Sequence, residues 1–191
     1  MLSSLAAYIA DVFQLKGDEY LLDLGCGEAE LTNALASRVA AISGIDQDDA
    51  ALANAHPTSN VTLVKGSIDA LPQLLSGQAN HALAYNVFQY LQTPDEARRA
   101  FRAVYGSIQP KGFFYVGAIL DQATFQAFKH QWETVLNKQP NPGQIGRSWP
   151  ADQLHDLALA AGFRAAAMLR QPGTIQLPYR YDYLWQKVDQ G

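Results

Sequence analysis

The chain has 191 residues, of which 48% are hydrophobic and 17% charged, a balance that suits one globular domain with a sizeable core. Its formal net charge of −4 gives no general attraction to nucleic acid or to an anionic membrane. A lone cysteine, an N-terminus without a basic flank and the absence of any bilayer-length apolar run together predict a soluble cytoplasmic protein.

The first predicted element is an amphipathic helix near the N-terminus. Leu5, Ile9 and Phe13 recur at helical spacing, and Gly17 is a typical helix end. Because an apolar stripe of this kind usually packs against a core, we expect the helix to cover the edge of a sheet.

A strand, a glycine turn and a second helix follow. Residues 20–24 form a short apolar run interrupted only by Asp23, which is typical of a strand buried on both faces. Gly25 and Gly27 permit a tight turn and let a ligand approach the backbone. Apolar residues then recur at helical spacing from Glu28 onward. A glycine turn leading into a helix N-terminus is typical of a nucleotide-type binding site.

The next predicted strand, residues 40–46, ends in an acid. Asp46 stands nineteen residues after Gly27, close to the spacing of roughly 20 at which a carboxylate meets ribose hydroxyls in dinucleotide folds. The third glycine of the dinucleotide fingerprint, however, would fall on Glu30, whose carboxylate would repel a pyrophosphate. A ligand with a ribose and no phosphate fits this loop better.

Together these motifs resemble the class I S-adenosylmethionine-dependent methyltransferases. The resemblance is carried by Leu22-Asp23-Leu24-Gly25-Cys26-Gly27 followed by Gly44-Ile45-Asp46. It implies an α/β fold, a Rossmann-like three-layer αβα sandwich. The implied sheet is mostly parallel and seven-stranded, in the order 3-2-1-4-5-7-6 with the last strand antiparallel. Ala29 aligns with the family's usual third glycine, a departure that changes loop strain.

The resemblance implies S-adenosylmethionine as cofactor, S-adenosylhomocysteine as product, and a cofactor site of nine residues. These are Asp23, Gly25, Cys26, Gly27, Asp46, Gln47, Ser67, Ile68 and Asn86. Asp23 would hold the glycine loop, and the glycines would admit the methionine end. Asp46 would bind the ribose hydroxyls. Gln47, Ser67 and Ile68 would flank the adenine, and Asn86 would lie near the sulfonium. The resemblance also offers two roles for the first helix. It lies over the cofactor with Tyr8 facing the methionine end, or it only covers the edge of the sheet.

Two positions depart from the family pattern. After the third predicted strand, residues 61–64, the usual adenine-binding acid is replaced by Ser67 and an acid follows at Asp69. We expect Asp69 to cap the short helix around residues 70–75 and Ser67 to lie at the cofactor edge. On the fourth strand, residues 80–86, His81 replaces a frequent acid and is expected to be structural.

The remaining elements complete the predicted sheet. Thr93 and Pro94 begin a helix, residues 113–117 form a buried strand, and residues 163–169 and 179–188 form the last two strands. We expect one domain, residues 1–191. A predicted helix over residues 122–136 and the Pro/Gly loop after it lead us to expect that residues 119–150 form a lid over the acceptor site.

The sequence indicates the catalytic residues less clearly than the cofactor-binding residues. No zinc cluster or P-loop is present, Cys26 is read as a small buried side chain, and no general base can be assigned among His130, His155, Tyr85 and Tyr90. Methyl transfer needs a base only for some acceptors.

The predicted acceptor is a small molecule, apolar or aromatic, with no nucleic-acid or membrane partner. The Asn-Pro-Pro-aromatic turn of enzymes that methylate nucleobase or glutamine amino groups is replaced by Asn86-Val87-Phe88-Gln89. Aromatic candidates for the pocket are Phe88, Tyr90, Trp132, Trp149 and Tyr179. The alternatives are a non-catalytic cofactor-binding or regulatory protein, or a non-methylating enzyme on this scaffold. The acceptor's identity and the oligomeric state stay open.

Overall fold

The structure, a computed structural model, describes residues 2–75, 77–122, 124–126, 146–170 and 179–188. Its described strands form a seven-stranded sheet in the order β3-β2-β1-β4-β5-β7-β6. The strands are β1 (Tyr20–Leu24), β2 (Ala41–Asp46), β3 (Val61–Lys65), β4 (His81–Tyr85), β5 (Phe113–Leu120), β6 (Phe163–Leu169) and β7 (Arg180–Lys187). This is the predicted order.

The first five strands are parallel, and β7 runs antiparallel to both of its neighbours. The predicted antiparallel last strand is therefore confirmed. β5 is longer than the sequence pattern indicated, and its pairing with β7 shifts register between Val116 and Ile119. The carboxyl ends of β1, β2, β4 and β5 lie at one edge, where open α/β sheets bind ligands.

Six described helices flank this sheet. They are α1 (Leu2–Phe13), α2 (Glu30–Ala36), α3 (Asp49–Asn54), α4 (Leu71–Leu74), α5 (Pro94–Ser107) and α6 (Ala151–Ala160). Two of these helices begin with a side-chain cap: the Asp48 carboxylate accepts from the N–H of Ala50 at 2.9 Å, and the Thr93 hydroxyl accepts from the N–H of Glu96 at 3.2 Å. No helix among the described residues is long and apolar enough to cross a bilayer.

Each face of the sheet has its own core. One is built around buried aromatic rings, including Phe88, Phe101 and Trp185. On the other face, α1 buries Leu5, Ile9 and Phe13 against β1 and β4. Tyr8 packs against this second core, so α1 covers the sheet as expected, while Leu2 at the start of α1 lines a cavity described below.

His81 has the structural role that the sequence indicated. Its ring stacks between Phe13 and Phe113, with ring centroids 4.9 Å and 5.7 Å away. Its Nδ1 accepts a hydrogen bond from the N–H of Phe113 at 3.0 Å. Burial lowers the pKa of His81, so the neutral ring suits this contact.

The predicted lid lies mostly outside the described residues, which omit residues 127–145 and with them His130 and Trp132. Both ends of the region belong to the packed fold. Leu120 is the last residue of β5, and the buried Trp149 donates its Nε1–H to the carbonyl of Phe88 at 2.8 Å. A lid formed by the residues between them stays a prediction.

A buried carboxylate fixes the irregular part of β5. Asp182 on β7 is fully buried and accepts from the Tyr115 hydroxyl at 2.5 Å and from the N–H of Ala118 at 2.8 Å. Ala118 has a left-handed backbone with φ of 57°. Since a non-glycine residue rarely adopts this conformation, the carboxylate holds a strained peptide in place.

We therefore expect Asp182→Ala to lower the free energy of unfolding by about 2–5 kcal/mol, because two buried donors lose their acceptor. Urea denaturation measures this change. The control is Asp156→Ala on the exposed face of α6, which should change stability by less than about 0.5 kcal/mol. Similar small effects of the two substitutions would contradict the role given to Asp182.

Candidate functional site

The two sequence motifs meet at the ends of β1 and β2. The N–H groups of Gly25 and Cys26 donate to the carbonyl of Ile45 at 2.7 Å and 3.2 Å. The N–H of Gly27 donates to Oδ2 of Asp46 at 2.7 Å. The glycine loop is thus tied to the neighbouring strand through three successive amides.

Asp46 keeps the capacity to bind a ligand. Its Oδ1 accepts from the N–H of Asp48 at 2.9 Å, and its Oδ2 from Gly27. A carboxylate has about four lone-pair sites, so two remain for other donors. These two contacts orient the carboxylate without saturating it.

Two adjoining cavities open beside this loop, with volumes of about 710 Å³ and 360 Å³. Gly25, Tyr85 and Asn86 line both of them. All nine predicted cofactor residues line one cavity or the other. The larger is lined by Gly25, Gly27, Asp46, Gln47, Ser67, Ile68 and Asn86, and the smaller by Asp23, Gly25, Cys26 and Asn86. The larger volume is typical of small-molecule sites.

Asp23 connects β1 to the helix that follows the loop. It is buried, and its Oδ2 accepts from the Thr32 hydroxyl of α2 at 2.6 Å. Burial raises the pKa of Asp23 to about 6; the Thr32 bond opposes that shift, and the nearby Asp46 charge adds to it. Asp23 therefore links the strand before the glycine loop to the helix after it.

Cys26 serves packing rather than nucleophilic chemistry. Burial, together with the charges of Asp23 and Asp46, raises the pKa of its thiol to about 12, so the thiol stays protonated at neutral pH. A Cβ atom at Gly44 would lie 2.9 Å from the Cys26 sulfur. The glycine of the second motif thus leaves room for the cysteine of the first.

The predicted adenine corner differs from expectation at Asp69. The Ser67 hydroxyl donates to Asp69, which also faces Nε of Arg99 at 3.4 Å. Asp69 lies inside a 3₁₀ turn, Ile68–Ala70, and the N-cap of α4 is Ala70 without a side-chain bond. The predicted cap was wrong because the acid follows the turn's first residue. Arg99 lines the larger cavity, a role that helical periodicity in α5 could not reveal.

Asn86 leaves β4 with a left-handed backbone, φ 61°, which asparagine tolerates better than most residues. Its N–H donates to the carbonyl of Gly117 at 2.9 Å. Its side-chain oxygen accepts from Nη1 of Arg180 at 2.9 Å. Arg180 could not be identified from sequence patterns, because it is 94 residues away along the chain.

Four of the five aromatic residues predicted for the acceptor pocket lie among the described residues, and of these only Tyr90 lines either cavity. Phe88 and Trp149 are fully buried in the core and line neither cavity. Their hydrophobicity reflects packing, which the sequence cannot distinguish from ligand contact. Tyr90 is 57% exposed and lines the larger cavity. Tyr179 is buried and packs edge-on to Phe125, with ring centroids 5.7 Å apart.

The candidate bases are separated by the fold. His155 on α6 stacks on Tyr183 at 5.8 Å and lines neither cavity, whereas Tyr85 and Tyr90 do line them. Within the described ranges, no group of three or more His, Cys, Asp or Glu side chains is placed to hold a metal ion.

The smaller cavity is acidic. Asp23, Glu28 and Glu30 line it, and no Lys or Arg does so among the residues that the structure describes. A cationic group in this cavity would meet opposite charge in a partly desolvated setting.

Comparison with known proteins identifies the domain. Residues 21–112 match the sequence profile of a methyltransferase domain, a region that runs from β1 to the turn before β5 and includes both motifs. This part of the chain belongs to the methyltransferase-domain family, and the strand order of the sheet is that of the class I methyltransferase fold. No curated protein sequence matches this chain significantly.

Solved structures share its fold at low sequence identity. An S-adenosylmethionine-bound amino pentose methyltransferase from Micromonospora echinaspora superposes with a TM-score of 0.74 and 16% identity, covering 98% of this chain and 92% of its own. A methyltransferase from Methanosarcina mazei gives 0.71 and 15%, covering 94% and 97%. Magnesium protoporphyrin IX methyltransferase from Synechocystis gives 0.70 and 14%, covering 97% and 80%. These likenesses establish the fold alone.

The glycine loop yields a first test. Gly25 has φ of +73°, and a Cβ there would lie 2.5 Å from Cγ2 of Val87, whereas a Cβ at Gly27 meets nothing within 4 Å. Gly25→Ala should cost about 2–4 kcal/mol of stability through strain plus overpacking, and Gly27→Ala about 1–2 kcal/mol through strain. Urea unfolding compares the two.

The double variant Gly25→Ala/Val87→Ala makes the clash itself testable. Removing the Val87 methyls should recover part of the stability that Gly25→Ala loses. The loss of stability in the double variant is compared with the summed losses of Gly25→Ala and Val87→Ala, each measured against wild type. A loss equal to that sum would contradict the clash.

A second test uses pH. Because burial raises the pKa of Asp23 from 3.8 to about 6, the folded protein binds this proton more tightly than the unfolded chain does. The resulting stabilisation is fully present below about pH 4 and is lost as the pH rises through about 6. The unfolding free energy of the wild type, minus that of Asp23→Asn, should fall across this window and then level off. A difference that stays constant from about pH 4 to 7 would contradict the raised pKa.

Proposed function

We propose that this methyltransferase transfers a methyl group from S-adenosylmethionine to a small-molecule acceptor. The observation that supports this most strongly is the Asp46 carboxylate, fixed by two backbone N–H groups at the wall of a cavity of about 710 Å³. Its remaining acceptor sites suit the two hydroxyls of a ribose. Two of the structural neighbours contain S-adenosylmethionine or S-adenosylhomocysteine.

The walls on each side of Asp46 suit the rest of the cofactor. Gln47, Ser67 and Ile68 line the larger cavity, where a planar adenine would be flanked by polar and apolar atoms. The smaller cavity beside Gly25 offers carboxylates to the ammonium and the sulfonium of the methionine end. Because both cavities share Asn86, this residue would lie next to the reacting centre.

The sulfonium supplies a methyl carbon that is already activated for in-line displacement. The residues of this chain then have to bind, align and desolvate the two reactants. The glycine loop fixes one reactant against the sheet, and Asn86 with its hydrogen-bonded backbone fixes the exit of β4 beside it. No described residue is assigned as a general base.

A small acceptor is favoured by the exit of β4. Val87 follows Asn86 and Phe88 turns into the core, so this turn lacks the proline-rich shape used for amino groups of nucleobases. Tyr90 exposes an aromatic ring beside the larger cavity. An apolar or aromatic metabolite suits this surface.

Isothermal titration calorimetry with S-adenosylhomocysteine tests the cofactor site. Asp46→Asn removes the charge while keeping an acceptor oxygen, so affinity should fall by about 1.5–3 kcal/mol, the worth of charge-assisted hydrogen bonds. The control is Asp49→Asn, which removes the same charge from the exposed start of α3 and should leave affinity nearly unchanged. Equal affinities of wild type and Asp46→Asn would contradict the ribose assignment.

Turnover separates methyl transfer from a binding or regulatory role. Wild-type protein is incubated with S-adenosylmethionine and a panel of small aromatic and apolar acceptors, and formation of S-adenosylhomocysteine is measured. Acceptor-dependent formation supports the proposal. Tight cofactor binding without turnover on any acceptor would favour the regulatory alternative.

A further inference from the structure

Arg180 is the charged side chain that the cofactor site leaves unexplained. It is the first residue of β7 and pairs with Leu120, the last residue of β5, so it lies at the ligand-binding edge of the sheet. It lines neither of the two cavities. It contacts Asn86, which lines both, and so lies within one side chain of the cofactor cavities.

The hydrogen bonds of Arg180 to the described residues all go to neutral acceptors, and its guanidinium lies 5.9 Å from the Tyr179 ring centroid. Nη1 donates to Oδ1 of Asn86 at 2.9 Å, to Oε1 of Gln89 at 3.3 Å and to the carbonyl of Ala118 at 2.5 Å. Among the described residues, ion pairs are formed by Lys65, Arg98 and Arg99, and none involves Arg180. Its positive charge therefore has no carboxylate partner within the part of the chain that the structure describes.

The fold holds this guanidinium in a fixed orientation. Gln89 is almost fully buried, and the Ala118 peptide that accepts from Arg180 is itself held by Asp182. A charged side chain that is ordered before a ligand arrives loses little further entropy on binding. The three contacts all use Nη1, so the edge formed by Nε and Nη2 has no acceptor among the described residues.

We propose that Arg180 is the anion-binding residue of the acceptor site and that the methyl acceptor contains a carboxylate. Two parallel N–H donors of a guanidinium match the two oxygens of a carboxylate. Asn86 alone separates the guanidinium from the cofactor cavities, and the proposed function sets Asn86 beside the reacting centre. This inference rests on the proposed methyl transfer and specifies its substrate class.

The cofactor's own carboxylate is the other possible occupant, and calorimetry separates the two. Arg180→Gln and Arg180→Lys should bind S-adenosylhomocysteine with the affinity of the wild type. A tenfold or larger loss in Arg180→Gln would mean that Arg180 serves cofactor binding, directly or through Asn86, and would overturn the proposal. Absence of binding to the wild type would instead refute the proposed function before any acceptor is tested.

The acceptor is then probed on the protein saturated with S-adenosylhomocysteine. Matched pairs of benzoate and benzamide, phenylacetate and phenylacetamide, and 4-hydroxybenzoate and 4-hydroxybenzamide are titrated by ligand-observed NMR. At least one carboxylate should bind wild type tenfold or more tightly than its amide. The preference should shrink in Arg180→Lys and disappear in Arg180→Gln.

The control is Arg164→Gln, which removes the same charge from an exposed residue of β6. Arg164 pairs with Gln186, at the opposite end of β7 from Arg180. This variant should keep the preference for carboxylates. A preference that survives in Arg180→Gln, or a wild type that prefers no carboxylate, would mean that Arg180 only clamps β7 to the end of β4.

Discussion

The hydrogen bond from the Gly27 N–H to the Asp46 carboxylate is the contact on which the site depends. It joins the loop after β1 to the end of β2, and two further amides of the loop donate to Ile45 beside it. The same carboxylate lines the larger cavity and keeps two acceptor sites free. One side chain therefore shapes the loop and presents a binding group, which explains why both motifs are needed together.

Neighbouring side chains stabilise the loop that makes the Gly27–Asp46 hydrogen bond. Asp23 reaches across to Thr32 of α2, and the absence of a side chain at Gly44 makes room for the Cys26 thiol. Desolvation raises the pKa of both Asp23 and Cys26, so both side chains are partly removed from water beneath the loop. The loop is strained at Ala29, which adopts φ of 62° where the family usually has glycine.

The strands, the glycine loop and Asp46 could be predicted from local signals in the sequence, whereas the strand order and the cofactor roles were implied by the resemblance to methyltransferases. Apolar runs gave the strands, and glycines with an acid at a fixed distance gave the loop and Asp46. The acceptor side depends on contacts between distant residues: Arg180 meets Asn86 and Gln89 only after β7 has inserted beside β5. Hydrophobicity likewise could not tell the core residues Phe88 and Trp149 from pocket residues.

The central claim is that Asp46 binds the ribose of S-adenosylmethionine at the wall of the larger cavity. A crystal structure of the wild-type protein with S-adenosylhomocysteine tests it most directly. We predict both ribose hydroxyls within hydrogen-bond distance of the Asp46 carboxylate and the methionine end over the loop at Gly25. Ligand density away from Asp46, or none from crystals grown with saturating ligand, would contradict the claim.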